Sequence, residues 1–262
     1  IFRGNRQVET LMLLFSLKVA YPNNVHLLRG NHETREVNYK YGFRGELRDR
    51  YGEDEGMKLF DVFNEVFDDL PLSCLIGGKI LCVHGGISTK LLNLEDIKKI
   101  PKPLSNINDS PLAVDLLWAD PVNGMAGTKV NDKRGISIQF GEDELVDALK
   151  RTGVIVIFRG HQVPLNGFAW FGMHGQLCTL FVAYNSSTKN NYAACIRIDE
   201  QGLKEMLIMY KGRWEEDNIA KLVHACEHEE NNEKDEDYTR FREEDEGPNE
   251  MDQTMCANGT LL

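Results

Sequence analysis

The sequence predicts an α/β fold whose chemistry sits at the carboxyl ends of its strands. Two observations carry this: strand-like and helix-period segments alternate along the chain, and three apolar runs each stop at a histidine beside glycine or asparagine. The runs end in Arg29-Gly30-Asn31-His32-Glu33, in Val83-His84-Gly85-Gly86 and in Arg159-Gly160-His161. In an open α/β sheet the loops leaving strand carboxyl ends line the ligand crevice, so groups far apart in sequence can meet there. Histidines in that position form the pattern of a metal site.

Residues 6–20 place Val8, Leu11, Met12, Phe15 and Val19 on one helical face, and Pro22 closes the segment. A strand is expected at 25–28 and a helix of mixed charge over 34–51. Met57, Phe60, Phe63 and Phe67 mark a further amphipathic helix stopped by Pro71, with the aromatics as core. Residues 79–83 form a strand leading into His84. Residues 99–135, rich in proline, glycine and asparagine around the apolar Leu116-Leu117-Trp118-Ala119-Asp120-Pro121, are expected to be a long loop walling the cleft. A helix follows at 142–151 with Gly153 just past its end. Strands are expected at 177–183, 193–198 and 203–210, the last two joined at the turn 199–202.

At 262 residues and 42% hydrophobic the chain can bury a sizeable core. Its net charge of −11 is concentrated in residues 227–262, which hold 13 Asp+Glu and 3 Lys+Arg and leave 28 against 27 elsewhere. A near-neutral body argues against electrostatic nucleic-acid binding, and the acidic tail cannot bury enough surface to order itself. The expected organisation is therefore an ordered domain over 1–212 and a disordered acidic tail over 213–262. Six cysteines without Cys-x-x-Cys spacing suit a reducing compartment, cytoplasmic or nuclear. No apolar run approaches a membrane span of roughly 18 residues, so no membrane partner is expected. Ile1-Phe2-Arg3-Gly4 reads like the end of a loop already under way, and the chain is expected to be truncated in front.

Glycine beside each site histidine is expected to permit the sharp turn that lets a short imidazole or amide reach an ion. Asn31 adds a neutral oxygen of the kind tolerated by harder metals. His26, His174, His224 and His228 lack that context and are read as ordinary surface or core histidines. Arginines accompany the turns at Arg3, Arg29, Arg134 and Arg159. A guanidinium fork beside a metal suits a phosphate clamp, the alternative being a surface cation.

The blocks Leu27-Leu28-Arg29-Gly30-Asn31-His32-Glu33, His84-Gly85-Gly86, Leu116 to Pro121, Arg134-Gly135-Ile136-Ser137 with Phe140-Gly141, and Arg159-Gly160-His161-Gln162 resemble, in order and spacing, the phosphoprotein phosphatase family of serine/threonine phosphatases, type-1 catalytic subunits in particular. The resemblance covers roughly residues 1–212. It implies a metallophosphoesterase-like β-sandwich flanked by helices, here missing its first strand-helix units. It also implies two divalent ions (Mn, Fe or Zn) bridged by an attacking water. By resemblance Asn31, His84 and His161 are metal ligands, and His32, Arg3, Arg134 and Asp120 form the catalytic set. His32 is the general acid, while Arg3, Asn31 and Arg134 bind phosphate. Phosphoprotein substrates and regulatory or targeting subunits are the implied partners.

Departures matter equally. The family's Asp-x-His motif is absent from the sequence, and where a Val-Asp-Arg-Gly is usual the chain reads Ile1-Phe2-Arg3-Gly4. A phenylalanine thus replaces the carboxylate that orients His32. Val182-Ala183-Tyr184-Asn185 replaces the family's Ser-Ala-Pro-Asn-Tyr segment. At most one well-formed metal site is expected, so the chain is read as an impaired phosphatase or, alternatively, a phosphatase-like binding module without turnover.

Overall fold

The computed structural model describes residues 6–183, 191–199, 202–210 and 213–217. In chain order the helices are α1 (Gln7–Ala20), α2 (Arg35–Lys40), α3 (Phe43–Tyr51), α4 (Glu53–Asp69), α5 (Glu95–Lys98), α6 (Pro111–Trp118) and α7 (Glu142–Thr152). The strands are β1 (Ser73–Ile76), β2 (Ile80–Val83), β3 (Asp120–Pro121), β4 (Thr128–Val130), β5 (Ile138–Phe140), β6 (Val156–Arg159), β7 (Phe168–Phe171), β8 (Leu177–Leu180), β9 (Ala193–Asp199), β10 (Gly202–Tyr210) and β11 (Arg213–Asp217).

The main sheet runs β1-β2-β6-β8-β7. Its centre is parallel, β2 to β6 to β8, while β1 and β7 close the edges antiparallel. Because successive strand residues face opposite ways, each central strand serves two cores. Ile80, Cys82, Val156, Phe158, Cys178 and Leu180 cluster with Ala194 and Ile196 of β9 and Met206 of β10, joining the main sheet to the antiparallel β9-β10-β11 sheet as a sandwich. Burial in that layer pushes the Cys82 thiol up to about 12. Leu81, Val83, Ile157 and Leu177 point the other way, into a cluster with Ala113, Leu116 and Leu117 of α6 and Leu145 and Leu149 of α7. Helices on one face and a second sheet on the other explain why β2 and β6 are buried along their whole lengths.

A third cluster unites Val8 and Leu11 of α1, Phe43 and Leu47 of α3, and Phe60, Phe63 and Phe67 of α4. The aromatics of α4 are core, as their spacing predicts. On α1 the expected apolar face is narrower, since Met12 is 51% and Val19 81% exposed.

Several elements differ from expectation. Residues 25–28 join no ladder among the described residues; the segment is fixed instead by Arg29 N donating to Pro71 O at 2.8 Å. The single helix expected over 34–51 is broken at Gly42, whose φ of 95° no continuing helix accepts. The long loop over 99–135 contains α6, begun by Ser110, whose Oγ accepts from Ala113 N at 3.3 Å, with Pro111 in the first turn. Strand β11 lies beyond residue 212, where the sequence suggested the ordered part would end. Helix α7 carries Glu142, Asp143 and Glu144 in its first turn and Lys150 and Arg151 in its last, the order that complements its dipole. No helix among the described residues is long and apolar enough to cross a membrane.

Candidate metal and phosphate site

Three loops deliver the site: the turn 29–33, the exit of β2 and the exit of β6. The first is stapled from inside. Glu33 Oε2 accepts from Gly30 N at 2.8 Å, Glu33 N donates to Gly30 O at 3.1 Å, and Thr34 Oγ1 donates to Asn31 O at 2.7 Å. Beneath it Arg29, fully buried, donates from Nε to Glu33 O at 2.9 Å, from Nη1 to Leu104 O at 2.7 Å and from Nη2 to Asp68 at 2.8 Å.

The second loop owes its shape to close approach. A Cβ on Gly85 would stand 2.4 Å from Leu117 C and Trp118 N, and Gly85 N donates to Leu116 O at 2.7 Å. The end of α6 therefore lies directly on the backbone after His84. Sharp turning was the expected reason for glycine here, yet Gly30, Gly85, Gly86 and Gly160 all keep ordinary φ. The left-handed residue is His161 itself, φ 71°. For a non-glycine residue that conformation costs about 1–3 kcal/mol and persists only where the surroundings impose it, typically at functional sites.

The three loops converge. His84 Nε2 lies 2.7 Å from Asn31 Oδ1 and 3.2 Å from His161 Nδ1. Adjacent donors around an ion at about 2.1 Å stand about 3 Å apart, so this spacing and the mixed nitrogen and oxygen chemistry fit a divalent metal. Burial first, then the neighbouring His161, Arg159 and His32, hold the His84 imidazole well below its usual pKa. A neutral ring keeps the lone pair that a ligand needs. The set contains no carboxylate, and among the described residues no three His, Cys, Asp or Glu side chains gather as a metal group.

Asp120 forms the wall beside these three side chains. Its Oδ1 accepts from Arg159 Nη2 at 3.0 Å and lies 3.9 Å from His161 Nε2, and its Oδ2 accepts from Arg134 Nε at 3.1 Å and from Asn131 Nδ2 at 3.0 Å. Trp118, at the end of α6, sets its ring edge-on to His161 with centroids 5.5 Å apart. Arg134 is partly exposed, and its two terminal nitrogens have no partner among the described residues. The His32 ring packs against Tyr41 at 5.1 Å.

The other two arginines answer neither expectation, phosphate clamp or surface cation. Arg159 donates to Gly85 O, to Gln162 Oε1 at 2.6 Å, to Thr179 Oγ1 at 3.3 Å, to Ala119 O at 3.3 Å and to Asp120. With no side-chain surface exposed it is an internal brace, as Arg29 is. The five donors of a guanidinium are spread over a planar fork and reach acceptors on several elements at once, where a lysine offers its donors from a single nitrogen. Sequence reasoning missed Glu33 and Asp115 as organisers. A signal existed for Glu33, three residues after Gly30 in a turn. Asp115 gave none, because its partners Ser88 and Ser137 lie far away in sequence. Arg3, Phe2 and the segment 184–190 lie outside the described residues.

With this geometry in hand, comparison with known proteins is specific. The family model of calcineurin-like phosphoesterases matches residues 1–165. The serine/threonine-protein phosphatase PP1-delta of Caenorhabditis elegans is 36% identical over 209 residues, covering 80% of this chain and 67% of the relative. Serine/threonine-protein phosphatase C23G10.1 of the same organism is 40% identical over 195 residues, covering 74% of this chain and 42% of the relative. Among solved structures, a protein serine/threonine phosphatase from Saccharomyces cerevisiae with similarity to human phosphatase PP5 superposes with a TM-score of 0.68 at 30% identity, covering 80% of this chain and 67% of that one.

Proposed function

We propose, on the premise that this chain belongs to the calcineurin-like phosphoesterase family, that its site binds the phosphoryl group of phosphoserine and phosphothreonine in proteins and hydrolyses the ester. The observation that carries this reading is the meeting of Asn31, His84 and His161 at one point, with Arg134 joined to it through Asp120.

Asn31, His84 and His161 would hold one divalent ion, Mn, Fe or Zn. Such an ion, when bound, supplies a water acidic enough to attack at neutral pH and offsets charge on the phosphoryl oxygens. Arg134 offers its terminal nitrogens to two of those oxygens, while Asp120 fixes the guanidinium plane from behind. Arg3 is the second phosphate-binding arginine in this reading. His32 protonates the departing serine or threonine oxygen, which as an alkoxide would leave poorly. Because the trio is neutral, it attracts a dication less than a site with carboxylates would, and turnover by residues 1–262 is expected to be impaired. Phosphoproteins are the substrates and targeting subunits the further partners. Free thiols at Cys74, Cys82, Cys178 and Cys195 support a cytoplasmic or nuclear location.

A second reading, a phosphoprotein-binding module without turnover, is favoured by the lack of an anionic ligand in the trio. One experiment separates the two: the chain is incubated with Mn2+ and a phosphoserine peptide, and both binding and phosphate release are followed. Slow release abolished by His32→Ala supports the phosphatase. Binding lost in Arg134→Ala without any release supports the module, and neither binding nor release contradicts both.

A further inference from the structure

Asp115 lies on α6, away from the convergence of Asn31, His84 and His161, and is only 2% exposed. Its Oδ1 accepts from Ser137 Oγ at 2.8 Å, and its Oδ2 accepts from Ser88 Oγ at 2.6 Å and from Lys90 Nζ at 3.3 Å. Each oxygen serves a different loop. Ser88 belongs to the loop that leaves β2 at His84. Ser137 closes the loop that carries Arg134, in which Asn131 N donates to Ser137 O at 3.1 Å and Asn131 O accepts from Arg134 N at 3.1 Å and Gly135 N at 2.9 Å.

Ser137 also takes a φ of 69°, a strained conformation for a residue with a side chain. Burying a carboxylate beside a half-exposed lysine is a poor way to fill space, since apolar residues of the same volume do as well or better for stability. Its geometric effect is different: a charged acceptor holds two hydroxyls, and with them two loops, at a fixed separation. Asp120, on the strand following the same helix, then holds the Arg134 guanidinium itself.

We infer that Asp115 is a positioning residue for phosphate binding, locking the Arg134 loop to the loop leaving His84. The inference rests on the phosphate-binding reading above.

The test is a double-mutant cycle on the full 262-residue chain, titrated with inorganic phosphate in the presence of Mn2+ and followed by calorimetry. Asp115→Asn is expected to weaken phosphate binding about tenfold in the otherwise native chain and to cause no further loss when Arg134→Ala is already present. Ser137→Ala, a milder change that removes only one hydroxyl, keeps the test decisive should Asp115→Asn fold poorly, and is expected to act in the same direction. An equal factor in both Arg134 backgrounds indicates a merely structural role and overturns the inference. Phosphate binding by the native chain that neither Asp115→Asn nor Ser137→Ala alters overturns it alone. No phosphate binding by the native chain overturns the phosphate-site reading, and this inference with it.

Discussion

At the scale of single residues, the buried arginines show how the site is held. Arg159 ties the loop after β2, the end of α6, β8 and Asp120 together with one planar group. Removing it leaves Asp120 buried with one guanidinium fewer and several carbonyls without donors. Breaking a buried pair from one side typically costs about 3–5 kcal/mol. Arg159→Met is therefore expected to lower unfolding stability by that amount in urea titration, and Arg159→Lys to recover little of it, because a single ammonium cannot reach all the acceptors. A loss within about 0.5 kcal/mol for either variant, the range of an ordinary surface change, would contradict the bracing role. Sequence alone shows that an Arg-Gly pair precedes His161. It does not show which way the guanidinium points, since that depends on acceptors contributed by three other elements.

Among elements, the contact of α6 with the exit of β2 fixes the backbone directly after His84. Helix α6 was hidden in the sequence because prolines and glycines surround its short apolar island, and short apolar runs carry no clear period. By contrast α4 was legible from its regular aromatic spacing and the proline beyond it, α7 from the glycine just past its end, and β2 and β6 from unbroken apolar runs that a sheet covered on both faces requires. The edges β1 and β7, no shorter than β2 and β6, went unseen because they are only partly buried. Residues 25–28 read as a strand because they are apolar, but a strand exists only with a partner. The backbone of Gly85 presses against Leu117 and Trp118, so Gly85→Ala should overpack that junction and cost about 1–3 kcal/mol, measured by thermal unfolding. A stability equal to that of the native chain would show that α6 can move away freely. The same substitution should also loosen the packing of Trp118 on His161.

Over the whole molecule, the fold is a two-sided sheet that uses its inner layer for a second sheet and its outer layer for helices, leaving the strand exits to chemistry. The convergence of Asn31, His84 and His161 was legible because each follows a strand-like run within a recognisable block. What the sequence could not reveal was the backbone strain placed on His161 and the role of Asp120 as a bridge between Arg134 and Arg159. The claim on which the functional reading depends is that these three side chains hold a divalent cation. Calorimetric titration of the chain with Mn2+ tests it most directly. The expected result is a saturable site that His84→Ala and His161→Ala each weaken by more than the roughly 10–100-fold typical of losing an orienting partner. Mn2+ binding left unchanged by both substitutions would contradict the account.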